Sequence, residues 1–183
     1  MMTATNPSFD SAFFRSALGR FATGVTVITT ATNEATAVTN PPAPAVGLTA
    51  SSFNSVSLDP PLIVWSLSRS SSSLATMTKS ERYVVQVMAA HQMPLANRFA
   101  RGTAVERFAG VELTEAPGGT PMLAGEPAAW FECFNRSQYD EGDHIIFIGQ
   151  VEHCSHSNAM PLIYHAGGFD LTPTIPDGSQ PQS

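Results

Sequence analysis

At 183 residues the chain has room for one domain of ordinary size with a substantial core. Hydrophobic residues make up 43% and charged residues only 13%, and 14 Pro with 13 Gly favour short elements joined by many turns. A net charge of −6, with only nine Lys and Arg scattered along the chain, argues against a nucleic-acid partner and against attraction to an anionic membrane.

No apolar run approaches the roughly 20 residues that cross a bilayer. Residues 1–10 are polar and lack a basic region followed by an apolar stretch, so no secretory signal is read and a cytoplasmic protein is expected. Cys133 and Cys154 lie in apolar, strand-like runs; they could be neighbours across a sheet, but free thiols are expected. Residues 1–8 read as a flexible start and 172–183 as a disordered tail, leaving 9–171 as the folded domain.

In chain order, the first element is a helix over 9–18, with Ser8 as its cap and Gly19 as its stop. The β-branched run 25–30 predicts a strand. Residues 31–45, with Pro41, Pro42 and Pro44, predict a long exposed loop. Strands are expected over 46–53 and 62–67, separated by Pro60 and Pro61. A serine run at 69–73 then opens a short helix ending near Lys79. A strand over 83–88 and a helix over 94–100 follow, with Pro94 tolerated in the first turn. Residues 101–127 read as irregular, 128–138 and 145–153 as two long strands, and 162–165 as a last strand resumed around Phe169. Long crossover helices are missing, so a parallel α/β sheet is excluded. The expectation is an α+β, mainly β fold: a closed or nearly closed antiparallel barrel with short capping helices.

The signatures of a Rossmann site, a P-loop, a nucleophile elbow and an H-E-x-x-H zinc site are all missing. His153, Cys154 and His156 come nearest to a metal cluster. Strand alternation sends Cys154 to the face opposite His153, so no metal is expected.

Four stretches carry potential chemistry. In 47–62 (GLTASSFNSVSLDPPL), small residues and hydroxyls let the backbone approach a flat polar ring, though a solvent-facing hydroxyl ladder would read the same way. In 66–73 (SLSRSSSS), hydroxyls and free backbone donors could cradle a phosphate, with Arg69 adding charge, or form a solvated linker. Gly142-Asp143-His144 puts an imidazole beside a carboxylate that can orient it, or is a plain hairpin turn. In 164–169 (YHAGGF), aromatic and imidazole groups beside two glycines could cover a planar ligand, or mark a bulge.

All four stand in one chain with two further segments, FR-x3-GRFATGVTVIT at 14–29 and Q-x2-LA-x2-FA at 92–100. Together they resemble the short-chain flavin reductase family, the reductase components of two-component flavin-dependent monooxygenases. The resemblance runs from about Phe13 to Leu171.

It implies an FMN-binding split barrel, a homodimer with flavin near the subunit interface, and hydride transfer from NADH (NADPH being the alternative) to FMN or FAD. Reduced flavin would then diffuse to a partner monooxygenase. By the matching segments, Thr49, Ala50, Ser51 and Ser52 should line the isoalloxazine ring and ribityl chain, with Val56 and Ser57 close by. Ser66, Leu67, Ser68 and Ser72 should serve the ribityl and phosphate end. His144 should face the nicotinamide, and Tyr164, His165 and Gly168 should form the closing wall. The loop at 31–45 is longer and more Pro-rich than the family's hairpin and reads as a surface insertion. Two rival functions remain on the same fold: a flavin-dependent oxidase of the pyridoxamine-phosphate type, or a non-catalytic flavin or haem carrier.

Overall fold

The computed structural model describes residues 8–31 and 45–171. Residues 1–7 of the expected flexible start, most of the 31–45 loop and the tail at 172–183 lie outside the described residues. The first helix, α1 (Ser11–Leu18), starts later than its periodicity predicts, because Asp10 rather than Ser8 caps it: the extended Asp10 backbone lets Oδ1 accept from the Phe13 N–H at 2.8 Å. No residue of α1 is buried.

The β-branched and aromatic runs form strands β1 (Thr23–Gly24), β2 (Thr26–Ala31), β3 (Ala45–Ala50), β4 (Asn54–Leu58), β5 (Pro61–Ser68) and β6 (Arg82–Val87). Helix α2 (Leu74–Lys79) lies between β5 and β6, and α3 (Met93–Phe99) follows a short 3-10 turn. The expected strand over 46–53 stops at Ala50, and 54–58 forms a separate edge strand. Its residues are almost all exposed, so burial imposes no alternation on its sequence.

The stretch 101–127, expected to be irregular, instead holds helix α4 (Ala104–Phe108) and the hairpin of β7 (Leu113–Glu115) with β8 (Pro121–Leu123). A capping box opens α4: Thr103 Oγ1 accepts from the Glu106 N–H, and Glu106 Oε2 accepts from the Thr103 N–H at 2.7 Å. That second bond, to a backbone N–H, holds the Glu106 carboxyl below its usual range. Strands β9 (Ala129–Glu141), β10 (His144–His156), β11 (Leu162–His165) and β12 (Gly168–Leu171) complete the described chain.

Among the described residues every strand pairing is antiparallel. Seven strands form the main sheet in the order β3-β2-β6-β9-β10-β5-β4, while β1-β11-β12 and β7-β8 form two smaller sheets. The main sheet curls, so that edge strand β3 packs against β5 across its concave side. The fold is therefore mostly antiparallel β with a few short helices.

The core on the main sheet is aromatic. Trp65 and Phe147 stack at 4.4 Å with planes 9° apart, and the Tyr83 ring meets Trp65 edge-on at 5.6 Å. Gly149 makes room for this: a Cβ there would run into the Tyr83 hydroxyl. A second core gathers Val25, Val27, Met88, Ala96, Phe99, Leu123 and Leu162 under α3. Here Gly47 is required, since a Cβ would come within 2.7 Å of the Phe99 ring and 2.9 Å of the Phe108 ring. Its bare backbone lets α3 and α4 press onto β3. Cys133 is buried, Cys154 is exposed, and both are free. Among the described residues, no helix is long and apolar enough to cross a membrane.

Candidate functional site

The predicted residues on β3, β5 and β10 converge at one end of the main sheet. Beyond the last β4–β5 pair, Asn54 with Val64, the chain at 51–53 leaves the ladder. Ser52 replaces the missing backbone there: its Oγ donates to the Ser66 carbonyl at 3.1 Å and accepts from the Ser66 N–H at 3.0 Å. One hydroxyl thus ties the end of β3 to β5, and it leaves Ser51 exposed with no hydrogen-bond partner among the described residues.

Other predicted side chains are already engaged. The Thr49 hydroxyl donates to the Ala96 carbonyl of α3 at 2.7 Å, and the Ala50 carbonyl accepts from Thr26 Oγ1 at 2.8 Å. The side chain of Leu67 belongs to the buried core, 6% exposed, so only its backbone could reach a ligand. Strand alternation explains this, since Ser66 and Ser68 then turn to the face that Leu67 leaves. Val56 sits exposed at a bulge between Ser55 and Ser57, and Ser57 lies opposite Leu62. Ser68 Oγ and Ser70 Oγ are 2.9 Å apart, and Ser72 is exposed.

Antiparallel pairing sets His144, the first residue of β10, directly across from Ser68. The turn before it needs a left-handed residue, which Gly142 supplies at φ +57°. The sequence left Arg69 free either to lend charge to a phosphate or to sit in a solvated linker. Instead it clamps this turn: its N–H donates to the Asp143 carbonyl at 2.9 Å, Nε to the Gly142 carbonyl at 3.2 Å and Nη2 to Asp140 Oδ1 at 2.5 Å. With Asp140 beside it, the Arg69 guanidinium belongs to a pair with no net charge to offer an anion.

The His144 ring lies 2.7 Å from Asp143 through Nδ1 and Oδ1, with its side chain 43% exposed. A carboxylate only accepts, so Nδ1 carries the proton and Nε2 is left toward solvent or ligand. The hydrogen bond from His144, reinforced by the imidazole's charge, holds the Asp143 carboxyl below its usual range.

Tyr164, His165 and Gly168 stand apart in one chain. They lie on the smaller sheet, with Tyr164 across from Thr23 and His165 across from Gly168 at the tip of the β11–β12 hairpin. That tip docks on the end of α1, where the Ala166 N–H donates to the Gly19 carbonyl at 2.9 Å. A cleft of about 400 Å³ there is flanked by Arg15, Arg20, Ala166 and Gly167.

Sequence reading missed Arg107, the residue after the α4 capping box. Its Nη1 donates to the Gly47 carbonyl at 2.8 Å and reaches Ser73 Oγ at 3.4 Å, and its Nε donates to the Arg101 carbonyl at 3.0 Å. This places a cation between β3 and the serine loop. The Thr103-x-x-Glu106 pattern could have revealed the helix that carries it.

The donor set fits a phosphorylated flavin: exposed hydroxyls of Ser51 and Ser72, half-buried Ser66 and Ser68, and a cation beside the serine loop. No group of three His, Cys, Asp or Glu among the described residues could hold a metal ion.

Residues 18–172 match the family model described as a flavin reductase like domain. The chain is 37% identical over 161 residues to the stachydrine N-demethylase reductase subunit Stc3 of Rhizobium meliloti, covering 88% of this chain and 66% of that subunit. It is 38% identical over 160 residues to the FMN reductase (NADH) SmoA of Agrobacterium fabrum, covering 87% of this chain and 85% of that protein. Among solved structures it resembles the NADH:FAD oxidoreductase SgcE6 of Streptomyces globisporus, in complex with NAD and FAD fragments, with TM-score 0.80 and 30% identity over 97% of this chain and all, 100%, of that one. Relatives vary in length, and the chain spans only 50% of another Rhizobium meliloti protein that it matches.

Proposed function

The chain belongs to the flavin reductase-like family, and from that premise we propose that it is an NADH-dependent flavin reductase. It takes FMN or FAD, with NADPH as the alternative donor, and supplies reduced flavin to a partner monooxygenase. The observation that carries this reading is the convergence of Ser52, Ser66, Ser68 and His144 at one sheet end, with the serine loop and the Gly142 turn held together by Arg69.

Bound flavin would supply the hydride acceptor, receiving hydride from the nicotinamide. The protein's own part is placement. Backbone groups at 50–52 and the Ser51 hydroxyl hold the ring edge, and Ser66, Ser68 and Ser72 hold the ribityl and phosphate end. Asp143 fixes the His144 ring so that Nε2 points a proton or lone pair at the dinucleotide. Thr49 and Leu67 contribute through backbone and packing.

We further propose a homodimeric split barrel folded over 9–171 and working in the cytoplasm. Helix α1 and its flanks expose Phe9, Phe13, Phe14, Leu18 and Phe21, an apolar surface that a single chain leaves in water. Tyr164, His165 and Gly168 lie beside that helix, so a second copy seated on it would carry them into an interface.

Anaerobic stopped-flow absorbance tests the function directly. Purified protein with FMN or FAD, mixed with NADH, should bleach the long-wavelength flavin band, and repetition with NADPH ranks the donors. Flavin that stays bound and unbleached would instead favour the oxidase or the carrier, and a Soret band on haem addition would single out the haem carrier.

A further inference from the structure

We infer that Arg107 is a phosphate ligand, its half-buried guanidinium holding a flavin phosphate against the serine loop. This deepens the flavin reading above and rests on it.

Charge accounting among the arginines leads here. Arg69 is matched to Asp140, and Arg82 to Glu81 and Glu152. Arg15, Arg20, Arg98, Arg101 and Arg136 are exposed, where water solvates the charge. Arg107 alone, among the described arginines, is half-buried yet meets only neutral groups: two carbonyls and one hydroxyl. Among the described residues no carboxylate lies within ion-pair distance of it, and its Nη2 has no partner. Burial pushes its pKa down, the mark of a cation with no compensating anion. A cation taken partly out of water without a counter-ion costs stability unless an anion arrives.

The surroundings name the anion. Arg107 reaches Ser73, 3% exposed, at the end of the serine loop, and Ser73 N–H in turn donates to Ser71 Oγ at 3.3 Å. Its other anchor, the Gly47 carbonyl, lies two residues before Thr49 on the strand that leads to Ser51 and Ser52. A dianionic group beside loop hydroxyls and a guanidinium fork with a free arm is a phosphate ester. The capping box fixes α4, so the guanidinium is held in place before ligand arrives.

The test titrates FMN, FAD and riboflavin, which lacks the phosphate, into wild type, Arg107→Gln and Arg107→Lys, following flavin fluorescence. In Arg107→Gln, FMN affinity should fall roughly tenfold to a hundredfold while riboflavin affinity holds within about twofold. Arg107→Lys should recover part of the FMN loss. FMN and FAD falling together places Arg107 on the phosphate next to the ribityl chain, and FAD falling alone, with FMN affinity kept, overturns the inference. Equal losses for FMN and riboflavin, or a loss confined to the NADH KM, overturn the inference. Should Arg107→Gln fail to fold, wild type decides: its FMN-to-riboflavin affinity ratio should shrink as salt is raised, and a salt-independent ratio overturns the assignment. Wild type binding none of the three flavins would instead defeat the reductase reading itself.

Discussion

The middle of the main sheet and its open end use the same strands under opposite rules. In the middle, β5, β6 and β10 send Trp65, Tyr83 and Phe147 into a space closed to water, and shape decides what fits there. One to three residues along β5 and β10, Ser66, Ser68 and His144 are half-exposed; directed bonds from Ser52, Ser70 and Asp143 hold them, and Arg69 clamps the turn that carries Asp143. Packing makes the first region rigid and chemically silent. The second is held by polar groups that still have capacity for a ligand. The difference predicts that stability and activity separate along one strand.

The most disruptive test removes the middle. Trp65→Ala deletes the ring that stacks on Phe147 and should cost roughly 3–5 kcal/mol of unfolding free energy in urea titration. A loss under about 1 kcal/mol would mean that the sheet repacks freely.

At the open end the balance reverses. His144→Ala should leave the unfolding midpoint nearly unchanged, since the ring is 43% exposed, while kcat/KM for NADH falls roughly tenfold with flavin affinity held. Unchanged NADH kinetics would remove His144 from the dinucleotide side. A matching fall in flavin affinity would put it on the flavin instead.

The smallest effect is electrostatic. Because the Asp143 carboxyl is held low in the folded protein, its pairing with His144 stabilises fully above the ordinary carboxylate range, near pH 4. That contribution is lost as pH falls through the lower folded-state value. Thermal midpoints of wild type and Asp143→Asn should therefore differ slightly at neutral pH and converge in acid. An offset that persists in acid would show that the pair does not act through charge.

Much of this contrast is legible in the chain before it folds. The β-branched run that became β2, the apolar run that became β5 and the serine run before α2 each carry a local signal strong enough to survive burial. Strand β4 and the β7–β8 hairpin were not legible. The first is an exposed edge with no alternation, and the second is short and pinned from outside by the buried Glu132, whose carboxylate accepts from the Gly118 and Thr120 N–H groups at 2.7 and 3.2 Å. The site was legible as residue types and only partly as roles. Leu67 and Arg69 stand inside the matching segments, yet one faces the core and the other holds a turn.

Taken alone, the sequence determined the family, the mainly β character and the segments that supply hydroxyls and an imidazole, because these rest on local composition and order. Only the tertiary structure decided which hydroxyls remain free, since Thr49 is engaged by α3 and Ser52 by β5 across long stretches of chain. It alone brought Arg107 to the serine loop, through a contact 34 residues apart in sequence. No local pattern encodes a pairing of that kind, because the two groups meet only after α4 and the serine loop have both packed around β3.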